Sequence, residues 1–373
     1  MRAGVGGPLW LATASRYAGR SPRRARWLLA LLALLMLASL TSLVTPHAKS
    51  GPVDGASVTQ AHNDELLYEL VVDDLRHGTD YYVAAANALR AGDYPLRPFV
   101  TFRLPTLAIL QSQMSQVASA LLLYALSLLT LFAWWQRLGD AIPRLAPRAF
   151  ATLLVAAGMA SAISAELVAI HDIWAGLLIA LSLAARRPGR WVTAVALGLS
   201  AMLIRELAVL YVAIMAAIAL IEGEKREASG WIAAAGMFAI VIAFHASAVA
   251  AVVRPLDQPA PVWTAMLDFG FGIRSIVQTT ALALAPSAIG ALAGGLALAG
   301  WAAWRDPLAT RALATLLGYL ILLSFVGRTD TFSWAFLIAP IAPIGVAFLP
   351  DAIRDLLRSA LDRRRITVTR TAA

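Results

Sequence analysis

The sequence predicts an all-α integral membrane protein of about ten transmembrane helices, with both termini cytoplasmic and a long first outer loop carrying two amphipathic helices. Three observations predict it. Of 373 residues, 60% are hydrophobic and only 14% are charged, whereas a soluble domain is about a quarter charged. Apolar stretches of about 20 residues, the length that crosses a hydrocarbon core, recur along the chain. The basic residues gather in alternate short connections and at the two ends, the asymmetry that marks cytoplasmic segments. A transmembrane β-barrel would show short alternating segments instead.

The chain divides into a basic tail at 1–26, a polytopic domain at 27–349 and a second basic tail at 350–373. Residues 1–26 hold six arginines and no acid. The first apolar run is long for a signal-peptide core and has no small-residue cleavage site close behind it, so it reads as a retained anchor. Expected spans are 27–45, 108–135, 149–168, 172–185, 191–204, 207–221, 230–253, 276–303, 308–326 and 331–349. The stretch 191–221 could be one long helix or a tight pair broken at Arg205-Glu206. Two charges at mid-membrane are costly, which favours the pair. The pair also keeps 22 of the 31 Lys+Arg residues on the cytoplasmic side, including the C-terminal tail. Ala285–Gly300 reads as close helix packing through small residues, with Pro286 as a kink. No cysteine is present, which excludes disulfides and thiolate chemistry. The net charge of +9 lies beside the spans and is no signal for nucleic acid.

The first outer loop, 46–105, holds eight carboxylates. Asn63 is suited to cap a helix with Asp64 and Glu65 in its first turn. Leu66, Leu67, Leu70, Val71 and Leu75 then repeat at helical spacing, and Gly78 stops them. Thr79 is suited to cap a second helix, running to about Arg90 and ended by Gly92. The pair is expected to lie along the outer membrane surface. Three prolines between Tyr94 and Pro105 impose an extended approach to span two, carrying Arg97 and Arg103.

Other polar residues fall on the same side: Glu166, His171 and Asp172, then Arg205 and Glu206, then His245, then Arg254, Asp257, Asp268 and Arg274, and finally Arg328 and Asp330. The plain reading of each carboxylate is capping or a solvated face. His171 and Asp172 read as caps of span four rather than metal ligands, and no metal site is predicted. Ionisable groups at membrane depth are nonetheless functional candidates by default. Carboxylates and arginines at an outer face suit transfer from a polyprenyl-phosphate-linked sugar: Arg can hold the phosphate through paired hydrogen bonds, and a carboxylate can take the acceptor's hydroxyl proton.

This layout resembles the GT-C superfamily of polytopic glycosyltransferases. The run Asp64-Glu65-Leu66-Leu67-Tyr68 resembles the Asp-Glu-x-x-Tyr pattern of protein mannosyltransferases and lipid A aminoarabinose transferases. That match implies Asp64 as the base, with Glu65 and Tyr68 beside it. The segment Asp80-Tyr81-Tyr82-Val83-Ala84-Ala85, with Gly92 and Tyr94 behind it, resembles the first loop of polyprenyl-phosphate-mannose-dependent transferases and implies Asp80. The resemblance covers about a quarter of the chain. Asp64 is preferred over Asp80. Arg205, Arg328 and Arg103 are the expected donor-phosphate ligands, with Glu206, His171 and Asp172 as further site candidates. A divalent metal is optional by the resemblance. It implies a glycan, lipid or protein acceptor, membrane lipids as surroundings, and a multi-pass place in the inner (plasma) membrane with a periplasmic active face. The rival readings are a transporter or flippase of a lipid-linked or anionic substrate, an O-antigen polymerase or ligase, and a scaffold without chemistry.

Overall fold

The computed structural model describes residues 7–44, 66–164, 167–260, 266–326 and 328–362, without the side chains of Thr329 and Asp330. The expected positions Asn63, Asp64, Glu65 and Glu166 lie outside the described residues.

The described chain is all helical. In order it comprises α1 (Pro22–Leu40), α2 (66–76), α3 (Tyr81–Ala91), α4 (Thr106–Ser112), α5 (Gln116–Ala141), α6 (Leu145–Gly158) and α7 (His171–Ala185). There follow α8 (Val192–Ile204), α9 (Val209–Ile221), α10 (Lys225–Val252), α11 (Phe269–Gln278), α12 (Ser287–Ala303), α13 (Pro307–Phe325) and α14 (Leu349–Leu361). Among the described residues, four helices are long and apolar enough to cross a membrane: α1 with its extension to Leu43, α5, α10 and α13. The shorter apolar helices are α6, α7, α8, α9 and α12.

Local chemistry sets several starts. Ser115 Oγ accepts from Ala118 N–H at 3.2 Å to open α5, and Asp268 accepts from Phe271 N–H at 2.9 Å to open α11. Asp306 accepts from Leu308 N–H at 2.8 Å while Pro307 occupies the first turn of α13, where its missing N–H costs nothing. These caps explain two departures from the expected spans. The stretch 108–135 is divided by the Ser115 cap into α4 and α5. The stretch 276–303 breaks between α11 and α12, with Pro286 at the boundary, so the expected kink is a full interruption.

α7 is apolar all round and buried from His171 to Ala184, as such a helix must be. Beside it runs the largest surprise. The stretch 331–349, expected as an α-helical span, forms 3-10 segments at Thr329–Leu337 and Pro343–Phe348 joined by turns. Pro340 and Pro343 remove two backbone donors three residues apart, and their rings clash with an α-helical path. The freed Ile341 carbonyl accepts from Trp301 Nε1–H at 3.1 Å. This segment is buried because neighbouring helices give it room. A Cβ on Gly176 would stand 2.1 Å from the Phe336 carbonyl oxygen, and one on Gly300 would stand 1.8 Å from that of Gly345.

The stretch 191–221 folds as the expected pair. Ser182 Oγ meets both the Ala194 carbonyl of α8 and the Tyr211 hydroxyl of α9, each at 2.7 Å, so the chain doubles back at Arg205-Glu206.

The two ends of the bundle differ. At one end the N-terminal arm is tied down: Asp351 of α14 accepts from the N–H groups of Leu9, Trp10 and Leu11 at 2.6–2.9 Å, and Asp355 accepts from the N–H and the hydroxyl of Ser15. Arg186 pairs with Glu227 and Arg311 with Glu222, both bidentate, tying the ends of α7 and α9 to the starts of α10 and α13. At the opposite end α2 and α3 form a cap.

Gly300→Ala is expected to cost at least ~1–3 kcal/mol through overpacking, seen as a lower thermal unfolding midpoint in detergent. Gly236→Ala is the control: its Cβ would meet nothing within 4 Å, and its midpoint should hold or rise.

Candidate functional site

The cap is built from the loop helices. α2 ends at Gly78, whose φ of +89° suits glycine. α3 is capped by Asp80, not Thr79: the Asp80 carboxylate accepts from Tyr82 N–H at 2.9 Å and Val83 N–H at 3.3 Å. Gly92 ends α3 as expected. Leu67, Val71, Tyr81, Ala84, Leu89 and Phe102 form a small core that continues onto Val249 of α10. Leu66 and Leu70 remain exposed on the outer side of α2.

Two straps hold the cap down. Arg90 of α3 donates to both carboxylate oxygens of Asp257, at 2.9 and 2.8 Å, and to the Val252 carbonyl at 2.9 Å. Leu96 N–H donates to the Gln258 carbonyl at 3.0 Å, and Arg97 donates to the Asp257 carbonyl. The Arg90 guanidinium, followed by the backbone N–H of Arg254, holds the Asp257 carboxyl well below its ordinary range.

Beneath the cap, separate parts of the chain converge. Arg103 follows the loop's last 3-10 turn, and its backbone carbonyl accepts from the Tyr81 hydroxyl at 2.6 Å. Burial pushes the Tyr81 phenol up, which keeps it a donor. Arg103 Nε donates to the Tyr68 hydroxyl at 3.1 Å and its Nη1 to Glu206 Oε1 at 3.3 Å. The same Glu206 oxygen accepts from Arg205 Nη1, while Arg205 Nε donates to Asp172 Oδ1 at 2.8 Å. The Tyr68 ring packs on His171, with centroids 4.8 Å apart. Tyr319 fixes the turn behind Arg205 by donating to the Leu207 carbonyl at 2.9 Å.

The cluster is graded from dry to wet. Arg205 is 1% exposed, and His171 and Asp172 are buried. The Arg103 and Glu206 side chains are 21% and 16% exposed, so the cluster opens on that side. Among the described residues two guanidiniums, Arg103 and Arg205, face two carboxylates, Asp172 and Glu206. Among the described residues, Glu206 Oε2 is buried without a hydrogen-bond partner, and the buried His171 ring has no side-chain partner, only the Ala169 backbone beside it. Such groups are costly in a finished core and are expected where a ligand completes them. A carboxylate oxygen and an imidazole can take a proton. A partly exposed guanidinium can hold an anion.

The structure therefore brings together Tyr68, Arg103, His171, Asp172, Arg205 and Glu206. Asp172 does not act as a cap of α7; it neutralises Arg205. His171 begins α7 and donates to no cap. Asp80 lies exposed on the cap and is occupied by α3. Arg328 heads the Thr329–Leu337 segment, where its N–H donates to Thr331 Oγ1 at 2.9 Å. Tyr81, Tyr82 and His245 join the site's margin, with the Tyr82 hydroxyl 3.2 Å from His245 Nδ1. Tyr81 and Tyr82 belong to the second motif, and His245 is among the polar residues expected on this side. Among the described residues no three of His, Asp or Glu converge to hold a metal ion.

Asp172→Asn leaves a buried guanidinium undercompensated and is expected to cost about 3 kcal/mol or more of stability. Adding Arg205→Met should cost less than the two changes summed, in a denaturant-unfolding cycle. The cap strap has its own pH signature. Because the native Asp257 carboxyl titrates below its unfolded value, the strap's contribution is complete above that unfolded value and is lost as pH falls through the native one. Hydrogen-exchange protection of α3 should hold from about pH 8 to about pH 5 and fall only in more acidic solution. Asp257→Asn should lower it throughout. No protein-family model, no curated protein and no solved structure matches this chain.

Proposed function

We propose that the chain is a membrane glycosyltransferase that moves a sugar from a polyprenyl-phosphate donor to an acceptor hydroxyl at the outer face of the membrane. The observation that carries the reading is the cluster beneath the cap, where among the described residues Glu206 Oε2 lacks a partner beside the buried His171 and the partly exposed Arg103.

The topology is part of the proposal. The helices α1, α5 to α10, α12 and α13 run alternately between the two ends, and the 329–348 segment makes a tenth, non-α crossing. The tied-down N-terminal arm and α14 then lie together in the cytoplasm, and the cap lies outside. α8 and α9 have 13 residues each, which rise about 20 Å, against a hydrocarbon core of about 30 Å. The turn at Arg205-Glu206 is thus recessed below the outer surface, under the cap. A donor whose lipid tail stays in the bilayer reaches such a site sideways. A charged cluster gathered at one end fits interfacial transfer better than passage of a solute, for which polar groups near mid-membrane are the usual arrangement.

In the proposed reaction Glu206 takes the acceptor's hydroxyl proton as its oxygen attacks the anomeric carbon. The bond from that carbon to the phosphate oxygen breaks, and polyprenyl phosphate leaves with the electron pair. Arg103 holds the anion, swinging from Glu206 as it does so. Arg205, fixed by Asp172, holds Glu206 in place. Asp64 is the rival base implied by the resemblance.

The test is transfer of labelled sugar from polyprenyl-phosphate donors in vesicles. Glu206→Gln should lower turnover by about 10²–10⁴, and Arg103→Gln should weaken donor use. Asp80→Asn should act mainly on α3 stability. Full transfer by Glu206→Gln with loss in Asp64→Asn would move the base into the loop. Substrate flux without a new glycosidic bond would favour the transporter.

A further inference from the structure

The end opposite the site carries a cavity of about 480 Å³ lined by Arg16, Arg20 and Arg305 with Ala18 and Gly19, and by no acidic residue among those described. Its arginines are held in place by the fold. Arg16 Nη2 donates to Thr310 Oγ1 at 2.7 Å, Arg305 Nε to the Ser15 carbonyl at 2.9 Å, and Arg20 Nε to the Arg16 carbonyl at 3.0 Å. Each guanidinium keeps further N–H groups beyond the bond named. Tyr17, next to Arg16, lines a second cavity of about 300 Å³ that is almost wholly apolar. That groove has Leu31 and Leu35 of α1 on one side, Leu313 and Leu317 of α13 on the other, and Ala299 and Ala302 of α12 as its floor. Both walls are helices long and apolar enough to cross a membrane. Thr310, Leu313 and Leu317 follow one another at helical spacing along α13, so the groove leads from the arginine cavity into the apolar layer.

We propose that these adjoining cavities are one binding site for an anionic phospholipid, with the phosphate headgroup among Arg16, Arg20 and Arg305 and an acyl chain along the α1–α12–α13 groove. A free anion would use the first cavity and leave the groove empty; a neutral lipid would use the groove and leave three guanidiniums facing one another. Only a lipid with an anionic head satisfies both. An occupant would also join the N-terminal arm to α13, binding the arm more firmly to the bundle.

The test uses the full chain in detergent, titrated with phosphatidylglycerol or phosphatidylcholine and read by native mass spectrometry. Phosphatidylglycerol should bind preferentially. Arg20→Gln and Arg305→Gln should each weaken it about fivefold, the effect of one basic residue at an anionic surface. Ala302→Phe should weaken it by filling the groove without changing charge. Lys225→Gln with Arg226→Gln removes two exposed charges from the same end, outside both cavities, and should change little. The proposal fails if that control loses as much as Arg20→Gln and Arg305→Gln, if Ala302→Phe has no effect, or if inorganic phosphate displaces the lipid completely.

Discussion

A charge inside an apolar bundle must be neutralised where it stands, and α7 carries one at each end. Asp172 at its start meets Arg205, and Arg186 at its close meets Glu227. A helix with no exposed face has no polar side by which to choose its rotation or depth. These two pairs supply that choice. The pairing also ties neighbouring helices to α7: the α8–α9 turn through Arg205 at one end, and the start of α10 through Glu227 at the other. The 3-10 segment at Thr329–Leu337 then lies against Gly176, in space that exists only at one rotation of α7.

The two ends use the same residue types differently. At the end with the N-terminal arm and α14, each carboxylate of the central network has both oxygens in use: Glu227 receives Arg186 and Glu222 receives Arg311 through paired hydrogen bonds. Among the described residues two guanidinium Nε atoms there, of Arg137 and Arg311, lack partners, but no oxygen of those two glutamates does. At the capped end Glu206 offers one oxygen to two arginines and keeps the other buried and unused. A network built for stability alone would turn that carboxylate to meet a guanidinium with both oxygens. The asymmetry sets this cluster apart from its counterpart.

Much of this architecture is legible in local sequence. Helical spacing from Leu66 to Leu75, the glycines at 78 and 92, and the improbability of two charges within one span locate both loop helices and the α8–α9 turn. The cap of α3 was misread by one residue because Thr79 and Asp80 are both good caps, and only the approach of the chain decides between them. The last expected span was misread because hydropathy does not register what Pro340 and Pro343 do to the backbone. The candidate site is legible as a set of residue types on one side, but not as a cluster. Arg103 and Glu206 lie far apart in sequence, and no local pattern encodes their meeting. Nor does sequence distinguish Asp172, consumed by Arg205, from Glu206, which keeps an oxygen in reserve.

The cap follows from the depth of the cluster. α8 and α9 are too short to lift their turn to the level reached by α10, whose 28 residues extend well past it. The loop helices cover that turn by leaning on the upper end of α10, through Val249 and the Arg90–Asp257 strap. Arg103 and Tyr68 reach from the same loop to the turn, where Arg103 pairs with Glu206 and donates to the Tyr68 hydroxyl. A single segment thus both covers the α8–α9 turn and is tied to it, so the cap and the turn hold one another in place.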